Sequence, residues 1–121
     1  MELEFVTEFS ARLDSVKAKR NFLFYHIGPE LDVELSSARY NNALHLDIQQ
    51  ERRRIFDNKY HWVTTNLYPK FVEGLTVFRQ MSEQHTDEPF VQKALGEIDA
   101  ERVRQEIETA AAEIRRLYSL Q

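Results

Sequence analysis

Histidine is the residue type in this chain best suited to metal binding or proton transfer, and four are present: His26, His45, His61 and His85. Two of them have a carboxylate four residues away, a spacing that places both groups on one face of a helix. His26 is followed by Glu30, and His61 is preceded by Asp57. Both pairs span a predicted helix break, and the chain has no Glu-x-x-His motif of the kind that di-iron bundles use. We therefore predict no metal site and no cofactor.

A second constellation lies at residues 20–26, which read Arg-Asn-Phe-Leu-Phe-Tyr-His. An arginine and an asparagine followed by a histidine resemble the motif of the HEPN ribonucleases, which are small helical bundles. The resemblance covers these seven residues, with five residues between the arginine and the histidine where the family usually has four. It implies a metal-independent ribonuclease in which His26 is the general base, Arg20 steadies the phosphate and Asn21 belongs to the same site. This activity is the alternative function.

Aromatic side chains are concentrated in residues 22–25 and 56–78. Phe22, Phe24 and Tyr25 point in different directions from a predicted helix, so one neighbouring helix cannot cover all of them. Aromatic residues are enriched at the centres of protein interfaces. We predict that these three residues form a partner interface, with Phe24 as the outward residue. The sequence thus favours protein–protein interaction, as a homo-oligomer, an adaptor or a regulatory subunit of a larger assembly.

The composition is that of a globular protein, with 42% hydrophobic and 30% charged residues. A net charge of −4 gives no general attraction to nucleic acid, so we expect none as a partner. The chain has no cysteine, which excludes disulfides and thiolate metal sites and fits a cytoplasmic location. Since no apolar run approaches the ~18 residues of a membrane span, we also expect no membrane association.

Glycine and proline are scarce, with three of each in 121 residues, and they help to predict where helices end. In a helix interior they cost roughly 1 and 3 kcal/mol relative to alanine, so long stretches without them favour helix. The strongest predicted breaks are Gly28-Pro29, with Gly28 as a left-handed cap, Asp57-Asn58, and residues 86–89. We predict a single all-α domain, residues 1–121, that is more than about two-thirds helical. Its fold is an antiparallel four-helix bundle with helices near 2–27, 30–56, 59–85 and 89–119.

The second of these segments also fits an α+β fold. Residues 31–35 and 44–48 alternate apolar and polar side chains with the period of a strand, and Asn41-Asn42 could form a hairpin turn. In that alternative, strands lie within residues 22–56 and helices lie at both ends. We favour helix because residues 30–68 contain neither glycine nor proline. A further possibility joins the second and third segments into one long helix.

The last segment carries the clearest amphipathic pattern. Its apolar residues recur at steps of three to five, close to the spacing of one helix face: Val91, Leu95, Ile98, Val103, Ile107, Ala110, Ile114 and Leu117. We predict that this helix forms most robustly and that Ile107 and Ile114 are core residues.

Overall fold

A computed structural model describes residues 3–121, and the structure is 83% helical, above the two-thirds that the sequence predicts. Its helices and helical turns are, in chain order, α1 (Leu3–Tyr25), a π-helical turn (His26–Glu30), α2 (Leu31–Ser36), α3 (Ile48–Trp62), a second π-helical turn (Val63–Leu67), α4 (Tyr68–Ser82), a 3₁₀ turn (Glu83–His85), α5 (Pro89–Glu97) and α6 (Ala100–Leu117). The predicted all-α fold is confirmed. The described residues form three long helical stretches, at 3–36, 48–85 and 89–117, in place of the four predicted helices of similar length.

The first helical stretch continues through Gly28 and Pro29, so the predicted break there is wrong. Gly28 does not adopt the left-handed conformation predicted for a helix cap. A fully buried apolar face continues across the turn: Leu23, Ile27, Leu31 and Leu35. The π-helical turn widens the helix at Pro29, which eases the contact between the proline ring and the preceding turn of backbone. Burial of this face therefore outweighs the local cost of the two residues.

The chain reverses direction at residues 37–47, inside the segment predicted as a helix over 30–56. The backbone N–H of Asn41 donates to the Leu46 carbonyl at 3.0 Å, and the N–H of Leu46 donates to the Asn41 carbonyl at 3.1 Å. This isolated bridge is the one strand-like pairing in residues 3–121, so the α+β alternative is wrong. His45 has a φ of 54°, so a histidine supplies the left-handed conformation for which glycine is usual.

Helix α3 begins at a capping box that the sequence contains as Asp47-Ile48-Gln49-Gln50. The Asp47 carboxylate accepts a hydrogen bond from the Gln50 backbone N–H at 2.7 Å, and the Gln50 side chain accepts one from the Asp47 N–H at 3.3 Å. The box satisfies two backbone donors at the helix start. The helix then passes through Asp57-Asn58, so the break predicted between residues 56 and 59 is wrong.

We expect Asp47→Ala to lower the free energy of unfolding by about 1 kcal/mol, because it removes the side-chain acceptor of the cap. Urea denaturation measures the loss. Asp57→Ala is the matched control, since Asp57 is exposed within the same helix, and its effect should stay within about 0.5 kcal/mol. Equal losses at the two positions would show that the capping box does not stabilise α3.

The third helical stretch begins after the predicted turn at residues 86–89, which is confirmed. The helix predicted over 89–119 is interrupted, however, because Ile98 and Asp99 have extended backbone. Asp99 caps α6 by accepting a hydrogen bond from the Arg102 backbone N–H at 3.1 Å. Ile107 and Ile114 are buried, as predicted.

All three stretches contribute to one hydrophobic core, in which α1 packs against α4. Its buried residues include Phe9, Val16, Leu23, Phe71, Phe78, Val91 and Ile107. Among the helices of residues 3–121, none combines the length and the apolar character needed to cross a bilayer.

Candidate functional site

The two π-helical turns lie where the first and second helical stretches pack together. Residues 26–30 contact α3, and residues 63–67 contact α1. Single π-helical turns inside longer helices occur often at functional sites, because they redirect side chains that a regular helix would stack. The side chains around these two turns therefore form the candidate site.

His26 lies at the centre of an aromatic cluster at this junction. Its ring centroid is 4.3 Å from that of Phe22, 5.3 Å from that of Tyr25 and 4.9 Å from that of Trp62, and all three contacts are edge-to-face. His26 is only 9% exposed, whereas Phe22, Tyr25 and Trp62 are 50%, 54% and 38% exposed. The three partly exposed rings thus form one surface around a buried imidazole. We call Phe22, Tyr25 and Trp62 the aromatic face.

Charged groups surround the imidazole of His26. Its Nδ1 contacts the Glu30 carboxylate, and the Lys59 ammonium lies 3.2 Å from the same carboxylate and 3.1 Å from that of Glu34. Burial lowers the pKa of His26, the Lys59 ammonium lowers it further, and Glu34 opposes them. Burial and Lys59 thus both favour the neutral imidazole over the imidazolium.

Lys59 also holds the aromatic face in position. Its ammonium group lies 5.6 Å from the centroid of the Trp62 ring, a cation–π contact, while its two carboxylate partners belong to the first helical stretch. The Lys59 side chain is largely buried. It therefore joins the backbone that carries Trp62 to the backbone that carries Phe22 and Tyr25.

Two of the three predicted interface residues, Phe22 and Tyr25, lie on the aromatic face. The prediction that Phe24 is the outward residue is wrong, because Phe24 is half-buried against the core and borders a shallow groove with Ala110 of α6. The third helical stretch covers this side of α1. Sequence reasoning did not identify Trp62, although its position in the aromatic-rich segment 56–78 was a signal.

The residues of the predicted ribonuclease site are not joined to one another. His26 comes six positions after Arg20, which places the two side chains about 120° apart around a regular helix. In the part of the chain that the structure describes, no hydrogen bond links Arg20 or Asn21 to His26. A general base needs access to the proton that it removes, and the imidazole is enclosed by its ring neighbours. Ribonuclease activity stays a prediction without a supporting contact.

Over residues 3–121, no three histidine, aspartate or glutamate side chains are grouped in a way that could hold a metal ion. No protein-family model matches this chain, and neither a curated protein nor a solved structure matches it.

Proposed function

We propose that this protein acts by binding another protein through the aromatic face. The observation that carries the proposal is that three partly exposed aromatic side chains lie together on helical backbone around one buried ring. Single exposed apolar residues are normal, but a contiguous group favours an interaction site. Tyrosine and tryptophan are also among the residues that contribute most to binding free energy at interfaces.

The contacts beneath the aromatic face support the proposal, because they restrict its side chains before any partner binds. Phe22 and Tyr25 contact the buried imidazole, and Trp62 contacts both that imidazole and Lys59. Side chains that are already ordered lose less conformational entropy when a complex forms. The net charge of −4 further supports a protein partner over a nucleic acid. The absence of cysteine supports our proposal of a cytoplasmic location.

Site-specific photocrosslinking in the native cells tests this function. We expect benzoylphenylalanine at position 22 or 25 to capture one specific protein, because these side chains would lie within the interface. Tyr40 and Leu117 are the matched control positions, since they are equally exposed, at 51% and 56%, but lie outside the aromatic face. Crosslinks of equal yield and identity at all four positions would contradict the proposal.

The captured protein is then purified and its affinity for the full chain is measured. Phe22→Ser should weaken binding at least about tenfold, since a hot-spot residue at the centre of an interface contributes about 2 kcal/mol or more. Tyr40→Ser should leave the dissociation constant unchanged, and circular dichroism verifies that both variants keep their helix content. An unchanged dissociation constant for Phe22→Ser would count against the aromatic face as the binding site.

A further inference from the structure

An apolar groove leads away from the aromatic face between the first and second helical stretches. Its first part has a volume of about 400 Å³ and is lined by Ser15, Ala18, Lys19, Phe22, Leu67 and Lys70. Because Phe22 belongs both to this lining and to the aromatic face, the two surfaces are continuous. A molecule that contacts the aromatic face could therefore extend into the groove.

The groove continues along α1 and α4 in a second part of about 300 Å³. This part is lined by Arg12, Lys19, Lys70, Glu73, Gly74 and Val77. Phe22 comes ten positions after Arg12, which corresponds to about 15 Å of helix, so the whole groove is as long as roughly three helical turns. The Lys19 side chain lies over Gly74, with its Nζ 3.0 Å from the position that a Cβ would take there, and Val77 is exposed beside it. This part of the groove therefore offers a docked segment a cation next to apolar surface.

The groove carries a net positive charge, whereas the chain as a whole carries a net negative charge. Arg12, Lys19 and Lys70 line it with a single carboxylate, that of Glu73. None of these three cations forms an ion pair with another described residue. Lys17 of the same helix, which does not line the groove, pairs with Glu97 at 3.4 Å. A chain with a net charge of −4 thus presents a groove with surplus positive charge.

We infer that this groove binds an amphipathic helix of the partner protein, and that this helix carries acidic residues beside its apolar face. The inference rests on the proposed function and names the chemistry of the partner. In helix-in-groove recognition, apolar residues at steps of three and four enter the groove, where Ala18, Phe22 and Leu67 would contact them. Carboxylates at the edges of the docked helix would face Lys19 and Lys70.

A second copy of this chain fits the groove less well than such a helix does. A two-fold dimer uses the same surface patch on both subunits. It would therefore bring Lys19 and Lys70 of one subunit towards the same cations of the other, and like charges across an interface are unfavourable. The charge of the groove therefore favours a different, acidic chain over a two-fold dimer through this surface.

Two synthetic peptides of about 18 residues test the inference directly. Both carry leucine at steps of three and four, and the flanking positions are glutamate in one peptide and lysine in the other. Each is labelled with fluorescein and titrated with the full chain while fluorescence anisotropy is measured. We expect the acidic peptide to bind at least about tenfold more tightly than the basic one, with the difference shrinking as salt is added.

Charge reversal in the groove gives the matched comparison. The double variant Lys19→Glu with Lys70→Glu should lose at least about tenfold in affinity for the acidic peptide and gain affinity for the basic one. Lys93→Glu reverses an exposed charge on α5, outside the groove, and should change either affinity by less than about threefold. Circular dichroism verifies that the variants are folded.

Equal affinities for the two peptides, or an unchanged affinity in the double variant, overturn the inference. If benzoylphenylalanine at position 25 still crosslinks a partner in that case, the proposed function is retained and only the inference of an acidic helix is rejected.

Dimers that form in sedimentation equilibrium and are disrupted by the double variant would show that a second copy occupies the groove. Tighter binding of a single-stranded RNA oligonucleotide than of the acidic peptide would show that the groove recognises phosphate, which also overturns the inference.

Discussion

Replacing Phe78 with alanine should lower the free energy of unfolding by about 3–5 kcal/mol. Phe78 is completely buried in α4, and its ring centroid lies 5.0 Å from that of Phe9 in α1. The substitution removes a buried ring and leaves a cavity between two helices whose backbones cannot collapse fully into it. The loss therefore combines the transfer free energy of the ring with the cost of the cavity.

Urea denaturation followed by circular dichroism measures this loss. Phe22→Ala is the matched control, since it removes the same ring from a half-exposed position on α1 and should cost less than about 1 kcal/mol. Phe78→Leu retains most of the buried volume and serves as a milder variant that stays folded. Similar losses for the alanine substitutions at residues 78 and 22 would contradict the packing of α1 against α4.

Acidification from about pH 7 to about pH 5 should destabilise the wild-type protein, and His26→Gln should remove most of this effect. Burial lowers the pKa of His26 in the folded protein below its ordinary value of 6.5. Below that pH the unfolded chain binds more protons at this residue than the folded protein does. The free energy of unfolding therefore falls as the pH drops through about 6.5 and continues to fall until the folded imidazole is protonated.

Carboxylates contribute in a separate range of pH. Hydrogen bonds from arginine side chains lower the pKa of Glu51, Glu101 and Glu113, so their contribution to stability is lost only as the pH falls below about 4.5. Urea denaturation of the wild type and of His26→Gln at about pH 7, 6 and 5 thus isolates the contribution of His26 to the pH dependence.

A wild type that becomes more stable on acidification would show that Glu30 stabilises the imidazolium more than burial and Lys59 destabilise it. The variant Lys59→Met lacks the nearby ammonium, so its free energy of unfolding should depend less steeply on pH than that of the wild type.

The helical fold could be predicted from the sequence because its apolar residues follow the period of a helix. The helix breaks were predicted less well, because local and tertiary effects compete. Gly28-Pro29 disfavours helix locally, but each fully buried leucine or isoleucine on that face stabilises the fold by about 1.5–3 kcal/mol. The true reversal at residues 37–47 contains neither glycine nor proline. The sequence feature that marks the end of this reversal is the capping box from Asp47 to Gln50.

The candidate site was predictable only in part. The closely spaced aromatics Phe22 and Tyr25 are conspicuous in the sequence, since their separation along one helix does not depend on the rest of the fold. Trp62 and Lys59 come from a helix whose alignment with α1 depends on tertiary packing, which a single sequence does not specify. The same limitation explains the wrong orientation predicted for Phe24, because α6 covers that side.

Trp62 offers the most direct test of the claim that the aromatic face binds a partner, because it is the only tryptophan of this chain and belongs to that face. The full chain labelled with fluorotryptophan gives one fluorine resonance, which the unlabelled crosslinked partner cannot obscure. We predict that this resonance shifts on complex formation and loses its sensitivity to exchange of H₂O for D₂O, because the indole becomes buried. A complex that forms by light scattering while the resonance keeps its position and its solvent sensitivity would contradict the account.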